Sequence, residues 1–270
     1  MERRALGTSG IDVPVIGMGT WKTFDVRDPR QAAHRATVVD AALASGTNLF
    51  DSSPMYGAAE QVLGAALDGR RERALVATKV WTPDDAEAER QIQRALSYYQ
   101  GRVDVYQVHN LVALPKRLER LEQLRDDQRV GSVGITHYEH AAFPKLMETM
   151  RSERVTSIQV PYNVRDRLVE DQLLPLAGER QIGVIIMRPL GVGELARQRP
   201  TPEQLRPFKD FGVTTWSQVL LKWLLSDPRV TSVIPATSNP EHARENAVAG
   251  DPPWFGPSER AAVVRLANQL

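Results

Sequence analysis

Eight short apolar segments, separated by longer stretches with helical spacing, are the feature that most constrains the fold of this 270-residue chain. Segments of this length between helix-like stretches are typical of buried parallel strands. Eight such units favour a closed barrel over an open sheet, and the chain length is close to the roughly 250 residues typical of that fold. The predicted strands are Val15–Gly19, Thr47–Asp51, Ala74–Lys79, Val105–His109, Ser132–Ile135, Ser157–Val160, Gly183–Met187 and Val230–Ile234.

The stretches between these strands predict helices, and no low-complexity linker divides the chain. We therefore predict one α/β domain over residues 1–270, a single (β/α)8 TIM barrel with a short N-terminal hairpin cap over Leu6 to Ile11. The connection from Leu190 through Val213 is unusually long, which is typical of a lid or binding loop, with a solvated surface loop as the alternative. The predicted helices are Arg30–Ser45, Glu60–Asp68, Asp85–Tyr99, Pro115–Gln128, Thr215–Leu225 and Ser258–Ala267.

The charge and cysteine content exclude several kinds of partner and chemistry. With 34 basic and 33 acidic residues the net charge is +1, which gives no reason to expect nucleic acid or an anionic membrane as a partner. The lack of cysteine excludes disulfides, thiolate nucleophiles and cysteine-ligated metals. The N-terminus lacks the apolar core of a signal peptide, and no apolar run approaches the roughly 20 residues of a membrane span. We therefore predict a cytoplasmic protein that binds neither nucleic acid nor membranes, and no metal site, because His137 and His140 lack a third ligand nearby.

Three consecutive predicted strands end on a polar residue, namely Asp51, Lys79 and His109. In a barrel of parallel strands, residues at the C-terminal ends of the strands lie at the active-site face, and Tyr56 follows five residues after Asp51. A free tyrosine has a pKa near 10 and is a poor acid at neutral pH, but an adjacent ammonium lowers that pKa and an aspartate keeps the ammonium charged. The set is suited to carbonyl reduction, in which hydride reaches carbon while Tyr56 protonates oxygen and His109 orients the carbonyl.

Each of the four residues also has a structural explanation. Asp51 would cap the next turn, Lys79 would pair with Asp51 at the barrel mouth, and a lone histidine such as His109 usually belongs to the core. Tyr56 would simply pack on its loop. Four compatible groups at three consecutive strand ends together favour catalysis. A cofactor-independent isomerase or lyase that uses Lys79 as a Schiff-base amine is a second possibility, against which the adjacent Asp51 argues.

Several groups of residues match one enzyme family in order, spacing and strand context. They are Gly17–Trp21, Phe50–Gly57 with Glu60 and Gly64, Thr78–Trp81, Val108–Asn110, Gln159–Asn163, and Ile234–Pro235 followed by Glu245–Asn246. Through them, the chain resembles the aldo-keto reductase family from Ala5 to Asn246. The resemblance implies a barrel of eight strands, NADPH as the cofactor, and reversible reduction of an aldehyde or ketone to an alcohol. The catalytic residues of the family fall on Asp51, Tyr56, Lys79 and His109 in this sequence.

The resemblance also implies where the cofactor binds. Gln159 would contact the nicotinamide carboxamide, and Glu245 and Asn246 would surround the adenine. Met187 stands where the family often has a stacking tyrosine, and a methionine can pack on the same ring face. The implied cofactor-binding residues are Gly19, Thr20, Trp21, Thr136, His137, Gln159, Met187, Arg188, Leu190, Gly191, Ile234, Ala236, Thr237, Ser238, His242, Glu245 and Asn246.

The segment after the eighth strand bears on the choice between NADPH and NADH. Many relatives carry lysine or arginine there, because a basic group holds the 2′-phosphate that distinguishes the two cofactors. This chain has Ala236 and His242 at those places, with the hydroxyls of Thr237 and Ser238 between them. The resemblance therefore favours NADP(H), with NAD(H) as the alternative.

The substrate side of the site is expected to be aromatic. Trp21 and Trp81 match wall positions of the family, and Tyr56 and His109 complete the substrate pocket. Aromatic walls beside a polar corner suit a small-molecule carbonyl compound with an apolar body. The resemblance also implies a monomer. The alternative is a nicotinamide-binding regulatory or sensor protein on the same fold with slow turnover.

Overall fold

A two-stranded antiparallel hairpin at the N-terminus covers one end of a barrel. Its strands, β1 (Arg3–Ala5) and β2 (Asp12–Pro14), flank the segment in which the sequence predicted the hairpin cap. Gly7 in the turn has a φ of +59°, and a Cβ there would lie 2.3 Å from the carbonyl oxygen of Thr156, so only glycine fits. The hairpin therefore packs tightly on the end of the barrel at which the strands begin.

Eight parallel strands in chain order form the predicted (β/α)8 barrel, in a computed structural model that describes residues 1–270. Bridges between Ile16 and Val233 and between Gly19 and Ala236 join the first and last of these strands and close the barrel. The strands are β3 (Met18–Gly19), β4 (Leu49–Asp51), β5 (Leu75–Val80), β6 (Val103–His109), β7 (Val130–Thr136), β8 (Ser157–Pro161), β9 (Gly183–Met187) and β10 (Ser232–Val233). The fold class predicted from the sequence is thereby confirmed.

Two strands are shorter than the sequence indicated. The predicted strands Val15–Gly19 and Val230–Ile234 correspond to β3 and β10, which have two residues each. Both lie at the seam where the barrel closes, and pairing across that seam consists of isolated bridges instead of a continuous ladder. The other six predicted strands lie within two residues of their predicted bounds.

Helices surround the barrel and connect its strands. They are α1 (Pro29–Ala44), α2 (Ala59–Ala66), α3 (Asp85–Tyr98), α4 (Leu114–Asp126), α5 (Phe143–Arg151), α6 (Leu173–Glu179), α7 (Pro202–Leu205), α8 (Trp216–Leu225), α9 (Pro240–Ala247) and α10 (Pro257–Gln269). The sequence analysis did not predict α5, α6, α7 and α9, which have four to nine residues each, and short helices give a weaker periodic signal than long ones. No helix in the structure has the length and apolar character needed to cross a bilayer.

Apolar side chains form one core between the strands and the helices and a smaller core inside the barrel. The inner core lies toward the ends at which the strands begin, where Leu6 of the hairpin turn meets Val105 and Ile185. Toward the ends at which the strands finish, the interior is polar and includes the buried side chains of Lys79 and Gln159. The two ends of the barrel therefore differ in character, and active sites of such barrels lie at the second end.

The long connection Leu190–Val213 is folded against the rest of the molecule. It contains α7 and several short 3-10 turns. Phe208 in this segment is buried, with its ring centroid 5.4 Å from that of Phe255. The indole Nε1 of Trp216, at the start of α8, donates a hydrogen bond to Gln198 Oε1 at 3.0 Å. Aromatic packing and a side-chain hydrogen bond therefore hold this segment in place, while about half of its residues are exposed.

Candidate active site

A cavity of about 960 Å³ opens at the polar end of the barrel. Its walls come from the ends of β3, β4, β6, β8 and β9, from the Leu190–Val213 segment, and from α8 and α9. The register of the sheet sets the level of the polar side chains, because His109 pairs with Thr136 and Thr136 pairs with Gln159 on the next strand. The strand ends that the sequence singled out therefore meet at one cavity.

A buried ion pair between Lys79 and Asp51 lies at the base of this cavity. Lys79 has no exposed surface, and its ammonium lies 2.8 Å from both carboxylate oxygens of Asp51 and 2.8 Å from the carbonyl oxygen of Ser52. The amide nitrogen of Gln159 donates to Asp51 Oδ1 at 2.7 Å. Burial alone would lower the pKa of Lys79, but the Asp51 carboxylate outweighs it and the net pKa is raised. The ammonium is therefore charged at neutral pH.

Tyr56 extends from the loop after β4 over this ion pair. The loop is held by a backbone hydrogen bond of 3.0 Å from the Tyr56 N–H to the Ser53 carbonyl, and Lys79 Nζ lies 5.4 Å from the centroid of the phenol ring. Burial raises the pKa of Tyr56 above its ordinary value of 10, and the charge of Lys79 opposes this shift without cancelling it. The sequence argument, which expected a lowered pKa, was wrong about the net direction because it left out burial. The phenol holds its proton at neutral pH.

His109, at the end of β6, stands beside the phenol. Its ring is perpendicular to that of Tyr56 with centroids 6.0 Å apart, and the Trp81 indole lies 6.5 Å away on another side. Its Nδ1 lies 2.9 Å from the hydroxyl oxygen of Ser53. Burial, and then the positive charge of Lys79, lower the pKa of His109 to about 3. The imidazole that lines the cavity is therefore neutral.

A second buried carboxyl group, Glu60 of α2, lies close to the ion pair, and the sequence analysis gave it no role. The hydroxyl of Thr78 donates to Glu60 Oε1 at 2.5 Å. Burial raises the pKa of Glu60 to about 7, although the Thr78 hydrogen bond and the charge of Lys79 oppose the shift. Its position in a matched motif was the only sequence signal, and its burial could not be inferred from that motif. Glu60 thus titrates near neutral pH within the field of Lys79.

Most of the residues predicted to bind a cofactor are brought to the cavity. Those that line it are Gly19, Thr20, Trp21, Gln159, Met187, Arg188, Leu190, Ile234, Ala236, Thr237, His242, Glu245 and Asn246, and those outside its wall are Thr136, His137, Gly191 and Ser238. The Thr136 hydroxyl donates a hydrogen bond to Gln159 Oε1 at 3.5 Å, so Thr136 helps to orient the Gln159 side chain from outside the cavity wall. The His137 ring instead stacks on Tyr138 with centroids 5.5 Å apart.

Comparison with known proteins gives the family of this site. A sequence model of the Aldo/keto reductase family matches residues 15–253. The chain belongs to the aldo-keto reductase family. It is 26% identical to methylglyoxal reductase YeaE of Escherichia coli over 92% of this chain and 89% of that one, and 27% identical to L-galactose dehydrogenase of Arabidopsis thaliana over 92% and 88%. A solved aldo/keto reductase from Klebsiella pneumoniae, in complex with NADP and acetate, superposes with a TM-score of 0.83, 26% identity and coverage of 99% and 96%.

The family predicted from the sequence is thereby confirmed, and this aldo-keto reductase is an oxidoreductase. Its cavity wall includes cations that form no ion pair with a carboxylate. Lys22 Nζ lies 4.5 Å from the centroid of the Trp21 ring, and the guanidinium carbon of Arg188 lies 4.9 Å from the centroid of the Tyr138 ring. Both cations line the cavity and rest on aromatic faces, so their charges are available to an anionic ligand.

The sequence analysis missed several wall residues of this reductase. Lys22 directly follows a matched motif and could have been included on that ground. Gln198, Arg199 and Trp216 come from the long segment and the start of α8, which only the three-dimensional packing brings to the cavity. The length of the connection was the one signal for Gln198 and Arg199, and it identified the segment without identifying the side chains.

Proposed function

We propose that this chain reduces an aldehyde or a ketone to an alcohol, with NADPH as the hydride donor and Tyr56 as the proton donor. The arrangement of Tyr56, Lys79 and His109 at one side of the cavity carries the proposal. The phenol keeps its proton at neutral pH, the ammonium beside it is charged, and the imidazole is neutral. Carbonyl reduction needs a proton donor, a charge that stabilises the anion left behind, and a hydrogen-bond donor for the carbonyl oxygen.

The donor set of the cavity fits a phosphorylated dinucleotide. Lys22, Arg188 and Arg199 line it without a carboxylate partner, and cations of this kind bind pyrophosphate and 2′-phosphate groups. Gln159 would hold the nicotinamide carboxamide, and Asn246 would contact the adenine. The complex of the K. pneumoniae relative with NADP supports the same cofactor here. When bound, NADPH supplies a hydride to the carbonyl carbon.

The proton transfer follows from the groups of the chain itself. Tyr56 donates its hydroxyl proton to the carbonyl oxygen as negative charge develops there, so hydride and proton together complete the alcohol. Lys79 stabilises the tyrosinate that remains, and Asp51 keeps Lys79 charged through its two hydrogen bonds of 2.8 Å. A hydrogen bond from His109 to the same carbonyl oxygen orients the substrate.

The substrate class follows from the rim of the cavity. Trp21 lines the cavity and is 38% exposed, whereas Trp81, which is 39% exposed, lies outside the cavity wall with its ring centroid 6.5 Å from that of His109. Large apolar side chains that stay exposed beside a polar site are suited to an apolar substrate body. We infer a small carbonyl compound, and the methylglyoxal reductase relative supports including short aldehydes among the candidates. We further propose that residues 1–270 act as one domain and as a monomer, which size-exclusion chromatography with light scattering would test.

The test is the loss of reduced-nicotinamide absorbance with a panel of aldehydes and ketones, using NADPH and NADH side by side. We expect turnover with NADPH, and a fall in kcat of roughly 10²-fold or more in Tyr56→Phe, because the proton donor is lost. Tyr98→Phe, which removes a hydroxyl on α3 away from the cavity, is the matched control and should keep full activity.

Other outcomes would lead to different conclusions. Equal rates with both cofactors would mean that Ala236 and His242 leave the 2′-phosphate unrecognised. Tight cofactor binding without turnover of any carbonyl compound would favour the sensor function instead. Full activity of Tyr56→Phe would refute the assignment of the proton donor.

A further inference from the structure

Ser53 lies directly behind the imidazole of His109. Its side chain is fully buried in the loop between β4 and α2, and its Oγ lies 2.9 Å from His109 Nδ1. The backbone N–H of Met55 donates a hydrogen bond to the same oxygen at 3.2 Å. These two groups are the only hydrogen-bond partners of the Ser53 hydroxyl in the structure.

The O–H of Ser53 has one possible hydrogen-bond acceptor. A serine hydroxyl has one O–H to donate and two lone pairs with which to accept. The N–H of Met55 uses one of the lone pairs, and because a backbone N–H can only donate, it offers no acceptor for the buried Ser53 O–H. The sole acceptor within reach of the Ser53 O–H is therefore His109 Nδ1.

The state of the imidazole completes the argument. His109 is buried and lies near the Lys79 ammonium, so the ring is neutral and carries one proton on one of its two nitrogens. A ring nitrogen that accepts a hydrogen bond carries no proton. If Nδ1 accepts from Ser53, the single proton of the ring must be on Nε2.

We propose that Ser53 is a positioning residue that holds His109 in the tautomer with the proton on Nε2, so that the ring presents an N–H to the cavity beside Tyr56. The inference deepens the proposed function, because that N–H is the donor that orients the carbonyl oxygen. Without Ser53, the neutral ring would also populate the tautomer with the proton on Nδ1, which presents a lone pair to the carbonyl oxygen and repels it.

The direct test is the ¹⁵N spectrum of the resting protein labelled at histidine, which requires no catalytic turnover. The chain has five histidines, and His109→Asn identifies the signals of interest. In the wild-type protein we expect a protonated Nε2 and an unprotonated, hydrogen-bonded Nδ1. In Ser53→Ala the two nitrogen shifts should move toward each other as the tautomers mix. A wild-type spectrum with the proton on Nδ1 would overturn the proposal, whether or not the protein proves to be a reductase.

Steady-state kinetics gives a second readout. Loss of one hydrogen bond of ordinary strength should lower kcat of Ser53→Ala roughly tenfold and leave the KM for NADPH unchanged. Ser53→Thr keeps a hydroxyl and should retain most of the kcat. Ser45→Ala removes a hydroxyl at the end of α1 and is the matched control.

The variants also separate positioning from folding. Circular dichroism would show whether Ser53→Ala is folded, and Ser53→Cys, whose thiol is a weak donor of similar size, replaces it if it is not. A folded Ser53→Ala with wild-type kcat and an unchanged spectrum would show that His109 keeps its tautomer without Ser53, and the proposal would be wrong. Inactivity of every variant and of the wild type would count against the proposed reaction, while the spectrum would still decide the tautomer.

Discussion

Among single residues, Lys79 depends most on one partner. Its ammonium is removed from water, and the Asp51 carboxylate is its ion-pair partner. In Asp51→Asn the charge of Lys79 would be buried without that partner, which costs about 3–5 kcal/mol of the free energy of unfolding. The ammonium would tend to lose its proton, so kcat should fall roughly 10²-fold as well. Urea unfolding and NADPH-dependent turnover measure the two effects.

An exposed ion pair provides the matched comparison for Asp51→Asn. Asp126 pairs with Arg125 at 3.2 Å, and the two side chains are 71% and 41% exposed. Water can solvate both partners after the exchange, so Asp126→Asn should change stability little. Equal destabilisation by the two variants would show that burial does not control the strength of the Lys79–Asp51 pair.

Glu60 should make stability depend on pH in a direction unusual for a carboxylate. Its folded-state pKa, about 7, exceeds its ordinary value of 4.5, so the folded protein holds the Glu60 proton more tightly than the unfolded chain does. The resulting contribution to the free energy of unfolding is complete below pH 4.5 and is lost as pH rises through 7. Relative to Glu60→Gln, which stays neutral, the wild-type protein should lose about 2–3 kcal/mol of unfolding free energy between pH 4.5 and 8.

Urea unfolding of both proteins at pH 5 and pH 8 measures this difference. Glu148→Gln, on an exposed part of α5, controls for the loss of a carboxylate as such. A constant difference between wild type and Glu60→Gln across this range would mean that Glu60 does not titrate there.

At the scale of elements, the long segment between β9 and α8 is part of the cavity wall. The hydrogen bond from Trp216 to Gln198 ties this segment to the start of α8, and both side chains line the cavity. In Gln198→Leu the wall should be more mobile, and the Kd for NADPH should rise roughly fivefold, as expected for one hydrogen bond. Fluorescence titration measures the Kd, and Gln93→Leu on the surface of α3 is the control. An unchanged Kd would show that this bond does not contribute to cofactor binding.

The elements of the barrel were largely predictable because each one is encoded locally. A buried parallel strand is a short apolar run, and the polar residue that ends the run marks the functional face. For this reason Asp51, Lys79 and His109 could be grouped from the sequence alone. The shortest helices, such as α7 with four residues, give no periodic signal and were missed.

At the scale of the whole molecule, the hairpin end should govern stability and not activity. Leu6 is fully buried in the inner core, and a Cβ on Gly183 would lie 2.6 Å from its Cδ1. Leu6→Ala should lower the free energy of unfolding by about 2.5–5 kcal/mol, because a cavity would form in the barrel. The kcat should stay close to that of the wild type, since the active-site face lies at the other end.

Chemical unfolding and turnover, measured on the same preparation, test this separation. Leu168→Ala is the control, because Leu168 is 38% exposed and its truncation should cost less than about 1 kcal/mol. A large fall in the kcat of Leu6→Ala, measured where the variant is fully folded, would show that the hairpin end and the active-site end of the barrel are coupled.

The parts of the candidate site that could not be predicted depend on contacts between distant parts of the chain. Gln159 donates to Asp51 across 108 positions of sequence, and Ser53 contacts His109 across 56. Such pairs follow from the register of the closed barrel and from loop conformation, which no local pattern specifies. The direction of the shift in the pKa of Tyr56 was missed for a similar reason, because this shift depends on how deeply the assembled cavity buries the phenol.

The division of the barrel interior into an apolar end and a polar end has a consequence for evolution. Substitutions at exposed positions of the cavity wall, such as Trp21 and Met55, would change which compound is recognised without touching the inner apolar core, which lies toward the ends at which the strands begin. A descendant of this gene could therefore explore new substrates through exchanges at these two positions without first acquiring compensating changes in that core. Substrate preference and foldedness can be selected almost independently in such a protein.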